Sequence, residues 1–248
     1  MLKALKPYWI YILSFVFIIL NSYLVVKEFY YLALVPCVLA LVFMAFFRLD
    51  KLMWFIVFST PLSINLEELD IGGIGMYIPT EPLMFGVMLL FFFKLLLEKK
   101  FDSNIIKHPI TLAILANLVW ITITSITSEM PVVSLKFLLA RVWFVVCFYF
   151  IATQLFRDKK NYKKFIWAYV ISLTGVICYA IIHLSMYNFD QKPAHWVMNP
   201  FYKDHTSYGA VLAMYLPMLF VFFNKRNTAT VRLISIFLIG IFTVAIIL

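Results

Sequence analysis

From Tyr8 to Leu248 the chain is a succession of apolar runs, broken only by short polar connections. That alternation constrains the fold more than any motif does. A run of roughly 20 predominantly apolar residues is long enough to cross the hydrocarbon core of a bilayer as a helix. Inside that core every backbone N–H and C=O needs a partner within the protein, which a helix supplies from its own chain. The expectation is therefore an all-α, polytopic transmembrane helical bundle, a single transmembrane domain over residues 1–248, with the lipid bilayer as its solvent. Composition agrees, with 64% of residues hydrophobic and 13% charged, against about 25% charged in a soluble domain.

The net charge of +9 raises the possibility of nucleic acid as partner. It is rejected, because the basic residues sit in short loops between apolar runs, as a membrane-topology signal does. Cys37, Cys147 and Cys178 all fall inside apolar runs. Free cysteine is a common buried small residue, so no disulfide, metal site or cofactor is expected. The N-terminal stretch is long and lacks a small-residue cleavage site, so it reads as an uncleaved first span.

About nine spans are expected, near 8–26, 29–47, 52–66, 81–97, 109–127, 136–156, 165–185, 207–223 and 231–248. The third is short, contains Pro61 and runs into Glu67 and Glu68. Orientation follows from Lys and Arg in short loops. With the N-terminus cytoplasmic, the inner segments hold Lys3, Lys6, Arg48 and Lys51, the 99–107 lysines, the 157–164 cluster, and Lys225, Arg226 and Arg232. Those are 15 of the 21 basic residues. Lys27, Lys136, Lys192 and Lys203 fall outside, with the acids Glu67, Glu68, Asp70, Glu81, Glu129, Asp190 and Asp204. An outer loop over 186–206 leads into the eighth span. The last apolar run stops without a polar flank, so the chain is expected to be the N-terminal portion of a longer protein, cut within its last span.

Polar groups within spans usually face the bundle or a water-filled cavity. Arg141, in "VVSLKFLLARVWFVV", is the strongest case. It follows Lys136 by five residues and so lies about 7.5 Å deeper along a helix. It reads either as a snorkelling or ion-paired structural residue, or as an anion site open to the outer face. Asn117, Thr124 and Thr127 share one helix face, and so do Ser172, Gly175, Tyr179 and His183. Such stripes usually pack helices together. In "NPFYKDHTSYGAV" Thr206 or Ser207 is expected to cap the eighth span. Lys203, His205 and Tyr208 are candidates to line an outer cavity. His195 and His205 lie near Asp190 and Asp204 without a zinc-ligand spacing.

Two stretches, "SEMPVVSLKFLLARVWFVVCFYF" and "NPFYKDHTSYGAVLAMYLPMLF", flank a basic inner loop. Together they resemble the bacterial O-antigen ligase family, which shares a superfamily with the O-antigen polymerases. The resemblance covers roughly residues 110–225. It implies a multi-pass enzyme of the bacterial inner (cytoplasmic) membrane, acting in lipopolysaccharide biosynthesis. Such an enzyme takes a glycan from undecaprenyl diphosphate at the periplasmic face. A ligase passes it to lipid A-core, and a polymerase to another carrier-linked glycan. By this resemblance Arg141, Lys136 and Lys203 bind the substrate diphosphate, and His205 and Tyr208 form the cavity rim. Lys203 stands where many members have Arg, and Lys lacks the bidentate fork. The large periplasmic loop that carries the family's proposed catalytic histidine would lie beyond Leu248. The catalytic residue is therefore unknown, and the fragment is expected to be inactive by itself. A secondary transporter of an anionic solute, with Arg141 as its site, is the reading from another class, although no internal repeat supports it. A non-catalytic membrane scaffold is a third.

Overall fold

The computed structural model describes residues 6–66, 75–98, 103–224 and 227–247. Glu67, Glu68, Asp70, Lys3, Lys99, Lys100, Lys225 and Arg226, weighed above for topology, lie outside the described residues. The chain divides into two compact units, residues 1–52 and 53–248. The first holds α1 (Lys6–Val26) and α2 (Val35–Phe47), joined by a 3-10 turn over Tyr31–Leu34. Its apolar stretches, Tyr11–Val26 and Tyr31–Phe47, are shorter than a full span.

The second unit begins within α3 (Leu49–Ser59). Here the expected third span is corrected. The α-helix has only 11 residues, about 16 Å at 1.5 Å per residue. A 3-10 turn at Thr60–Leu62 and an extended segment follow, because Pro61 cannot donate a helical hydrogen bond. Strand β1 (Ile64–Asn65) then pairs antiparallel with β2 (Tyr77–Ile78), with Ile64 opposite Ile78. Ser63 is thereby brought back to Thr80, the first residue of α4 (Thr80–Glu98).

Among the described residues, six helical segments are long and apolar enough to cross a membrane, which makes this a multi-pass membrane protein. They are α4; α6 (Pro109–Ile126), entered from the short α5 (Ser103–Ile106); α7 (Pro131–Val145), continued through a π-helical stretch Val146–Ile151 into α8 (Ala152–Leu155); α9 (Lys160–Ser185); α10 (His205–Phe222); and α11 (Ala229–Ile247).

Side-chain pairs fix the direction of each helix. Met84 meets Cys147 and Phe91 stacks on Phe150, so α4 and α7 run parallel. Thr111 meets Tyr149 and Ser125 meets Ser134, so α6 opposes α7. Thr111 gives its proton to the Ile105 carbonyl, hence Tyr149 is the donor in the 2.6 Å bond between them. Trp167 against Phe222 and Tyr169 on Tyr215 make α9 and α10 antiparallel.

The turns 156–160 and 223–228 therefore share one end of this unit with Lys107, Arg157, Lys159 and Lys160. The β1–β2 pair and the 127–131 and 186–204 connections occupy the other, with Lys136, Lys192 and Lys203. At the first end Lys163 donates to Asn227 at 3.1 Å, and Asn227 donates to the Phe222 carbonyl. These bonds tie the 223–228 turn to the start of α9.

The best-buried cluster of this unit is formed by α9, α10 and α11. Val170, Leu173, Val176 and Ile177 interlock with Leu212, Tyr215, Leu219 and Phe242. The 186–204 connection does not stay at the rim, since Val197 and Met198 are buried and Met198 joins that cluster. His183 anchors it through a 3.1 Å bond between Nδ1 and the Val197 carbonyl. A carbonyl only accepts, so the proton sits on Nδ1. Ser172, in the same α9 stripe, is buried and returns its hydroxyl to carbonyls of its own helix.

The N-cap of α10 is also corrected: it is Asp204, not Thr206 or Ser207. Its carboxylate accepts from the Ser207 N–H at 2.7 Å and from the Ser207 hydroxyl at 3.1 Å. Those bonds hold the Asp204 carboxyl below its ordinary pKa of 3.8. Asp204→Ala is expected to lower the unfolding temperature in detergent at pH 7, and Asp204→Asn, which keeps an acceptor, to lower it less. A depressed carboxylate stabilises above its unfolded-state value and loses that stabilisation as pH falls through the folded value. The gap between wild type and Asp204→Ala should therefore close below pH 3.8. Leu212, fully buried, provides the contrast: Leu212→Ala is expected to cost about 2–5 kcal/mol at any pH.

Candidate functional site

Three cavities among the described residues of the second unit divide Arg141, Lys203, His205 and Tyr208 between them. The first is a chamber of about 240 Å³ that sets hydroxyls, a carboxylate and a lysine among aromatic rings. The turn after α3 contributes Thr60 and Ser63, the start of α4 contributes Thr80 and Glu81, and α9 contributes Tyr169. The 186–204 connection and the first turn of α10 close it with Phe201, Tyr202, Lys203 and Ser207. Tyr169 lies nine residues into α9, so the floor of the chamber is deep in the bundle.

Hydroxyls in the chamber are ordered into a relay. Ser63 donates to the Ser59 carbonyl at 2.9 Å, so in its 2.8 Å contact with Thr80 the threonine is the donor. Both side chains are buried. Glu81 accepts a hydrogen bond from the Tyr77 N–H, and Lys136 of α7 stands within electrostatic reach of it. A carboxylate in the first turn of a helix is favoured by the helix dipole. Tyr202 is pushed well above the ordinary tyrosine pKa, first by burial and then by neighbouring tyrosines. Its hydroxyl approaches that of Tyr169 but meets no hydrogen-bond geometry, and it has no partner among the described residues. It thus remains a donor in need of an acceptor.

The second cavity is an open groove of about 530 Å³ between α6 and α7. Ile110, Ala113, Ile114 and Asn117 form one side, and Arg141, Phe144 and Phe148 the other. Arg141 is exposed and has no ion pair or hydrogen bond among the described residues. It lies ten residues from the start of α7, about 15 Å along the helix, where an unpaired cation is costly. Phe144 and Phe148 stack one turn apart at 5.9 Å and line both groove and chamber. The two spaces therefore share an aromatic wall.

The third cavity, of about 280 Å³, takes His195, His205 and Tyr208. The expectation that Lys203, His205 and Tyr208 face one space does not hold. Lys203 opens into the chamber, and the other two line the cavity beside α11. Nor do Arg141 and Lys203 share a cavity; they lie on either side of the Phe144–Phe148 wall. Lys136 lines none of these three cavities and stands instead within electrostatic reach of Glu81. Among the described residues, no group of three or more His, Cys, Asp and Glu is arranged to hold a metal ion.

Sequence reasoning passed over Glu81 except as an outer acid, and missed Ser63, Thr80, Tyr169 and Tyr202. The one local signal was "IPTEP", an acid at the start of a helix that follows a broken apolar run. No family model matches the chain, and no curated protein or solved structure matches it.

The relay makes a stability prediction. Ser63→Ala leaves the buried Thr80 hydroxyl without an acceptor and is expected to cost about 1–3 kcal/mol. Adding Thr80→Val removes the orphaned group, so the double variant should be more stable than Ser63→Ala alone. Thermal unfolding in detergent is the measurement, and a double variant less stable than Ser63→Ala would contradict the relay.

Proposed function

We propose that the protein is a membrane glycan transferase of the O-antigen ligase type. In this reading it moves a glycan from undecaprenyl diphosphate to lipid A-core at the periplasmic face of the bacterial inner membrane. The observation that carries the reading is the pairing of two unlike spaces across one aromatic wall. A lipid-facing groove with an uncompensated arginine suits a carrier chain and its diphosphate. The adjoining chamber, with hydroxyls, tyrosines, a carboxylate and a lysine, suits a sugar. The basic end of the bundle is then cytoplasmic by the positive-inside rule, and the chamber side periplasmic.

A glycosyl diphosphate carries its own leaving group. The bond from the sugar carbon to the diphosphate oxygen breaks as the bond to an acceptor hydroxyl oxygen forms. The departing charge needs a fixed cation, and Arg141 supplies one with two parallel donors. Lys136 adds charge from the same helix, and Lys203 from the chamber.

Transfer is to be measured in membranes that carry the whole protein, per molecule of embedded protein. Arg141→Ala is expected to lose about 10²–10³ in rate, by analogy with loss of one oxyanion donor, and Arg141→Lys less. His205→Gln, outside both spaces, should change it little. Normal specific activity in Arg141→Ala would eliminate the diphosphate role and leave Arg141 as a structural residue. Orientation has its own test in a cysteine-free background. A cysteine at Lys192 should react in intact cells with a membrane-impermeant reagent and one at Lys160 should not; the reverse result overturns the orientation.

A further inference from the structure

The end of the second unit opposite the chamber carries a cluster of cations that the proposed transfer does not use. Five of the eight residues from Arg157 to Lys164 are basic, namely Arg157, Lys159, Lys160, Lys163 and Lys164, and Asp158 is the single acid. One Asp158 carboxylate oxygen accepts from the Lys160 backbone N–H at 3.0 Å, which holds that side chain against the backbone. Glu81, Glu129, Asp190 and Asp204, the other carboxylates among the described side chains of this unit, lie at the opposite end. The cluster therefore keeps a net positive charge.

The cations are carried on a fixed turn. The Asn161 side-chain amide donates to the Leu155 carbonyl at 2.7 Å, and the Asn161 N–H to the Asp158 carbonyl at 3.0 Å. Phe156 stacks on Tyr162 at 4.6 Å with ring planes 15° apart, and Phe165 meets Phe156 edge-on at 5.4 Å. Lys160, Lys163 and Lys164 are exposed and, being three and four residues apart, share one face of α9. Lys163 Nζ donates to Asn227 Oδ1 at 3.1 Å, so that face is turned to the 223–228 connection. Asn227 is neutral, and the bond leaves the charge of Lys163 uncompensated. Arg232, half-buried near the start of α11, adds a further cation at this end.

The depth of the cluster follows from the length of α9. The helix has 26 residues, about 39 Å at 1.5 Å per residue, against about 30 Å of hydrocarbon. Its excess length falls on the polar first turn, "KNYKK", which sets the lysines in the headgroup layer. Tyr162, exposed beside them, suits the same layer. The anions that surround a cation at that level are lipid phosphates.

We propose that the turn from α8 into α9 binds the headgroup of an anionic phospholipid. The phosphate lies against Lys160, Lys163 and Lys164, and the acyl chains stay in the bilayer beside α9. A zwitterionic headgroup offers the same phosphate but brings its own cation, which the lysines repel, so a headgroup with net negative charge is preferred. The proposal depends neither on the transferase reading nor on which side of the membrane this end faces.

Native mass spectrometry of the protein in an uncharged detergent tests this with phosphatidylglycerol and with phosphatidylcholine of the same acyl chains. Phosphatidylglycerol should bind about tenfold more tightly or better, each lysine near a membrane surface contributing on the order of fivefold toward an anionic lipid. The triple variant Lys160→Gln/Lys163→Gln/Lys164→Gln removes three exposed charges while leaving an amide at 163 that can still donate to Asn227, and it should lose the preference. The matching triple replacement by Arg should keep it, and so should Lys192→Gln, at the opposite end. Excess inorganic phosphate should not displace the bound lipid; displacement would assign the cluster to a free anion and overturn the proposal. Equal affinity of the wild type for the two lipids, a preference that survives the triple Gln variant, or one that Lys192→Gln abolishes as fully, overturns it as well.

Discussion

Apolar surroundings leave backbone N–H and C=O groups no partner except one another, and the rest of this structure depends on that constraint. It makes helices of the long runs. It also dictates where non-helical chain is admitted: only inside protein or along a cavity. The two irregular segments of the second unit obey it. The turn after α3 lies against α9 with Thr60 and Ser63 bonded to carbonyls one turn back. The 186–204 connection enters the bundle with Val197 held by His183. Both segments line cavities, so the places where helix geometry fails are also the places where polar side chains are presented.

The same constraint separates charges. Most basic residues of the described loops lie at one end of the bundle, where water is available. Arg141 does not, and no described carboxylate compensates it. Phe144 and Phe148 line the groove beside it on one side and the chamber on the other. A partnerless cation at that depth is tolerated only with an anion, with water or by reaching along the helix to the interface. The chamber is organised differently. Its hydroxyls are satisfied internally through Ser63 and Thr80, and the groups left with free capacity are Tyr202 and Lys203. Groove and chamber thus differ in chemistry while sharing one wall.

Much of the architecture was legible in the sequence, because runs such as 109–127, 165–185 and 207–223 leave helix as the only soluble solution for their backbone in lipid. The helical pattern failed at 52–66. There the apolar content suggested a span, but Pro61 and the pull of the Ser63–Thr80 contact end the helix after 11 residues. The cap of α10 was misread by two or three residues because Asp, Thr and Ser all make good caps and their ranking is close; backbone geometry selects Asp204. Arg141 was legible as an anomaly. The partners of the chamber were not, since Ser63, Glu81, Tyr169 and Lys203 are far apart in the chain and none is unusual where it stands.

That the chain spans a membrane as an all-helical protein, and that its basic residues sort toward one set of loops, can be read from the residues alone. Those are consequences of local run length and charge, summed over neighbours in the chain. Which polar residues meet depends on how the helices pack. Lys203 and His205 are two positions apart at the entry to α10, yet they open on opposite sides of the 198–208 segment. Residues two apart share a face in an extended segment, but only Asp204 between them is extended before the chain turns into α10 at His205, so the two side chains diverge. Neighbours in such a sequence are therefore assigned to different cavities by the direction of the backbone, which is set by packing against α9 and α11.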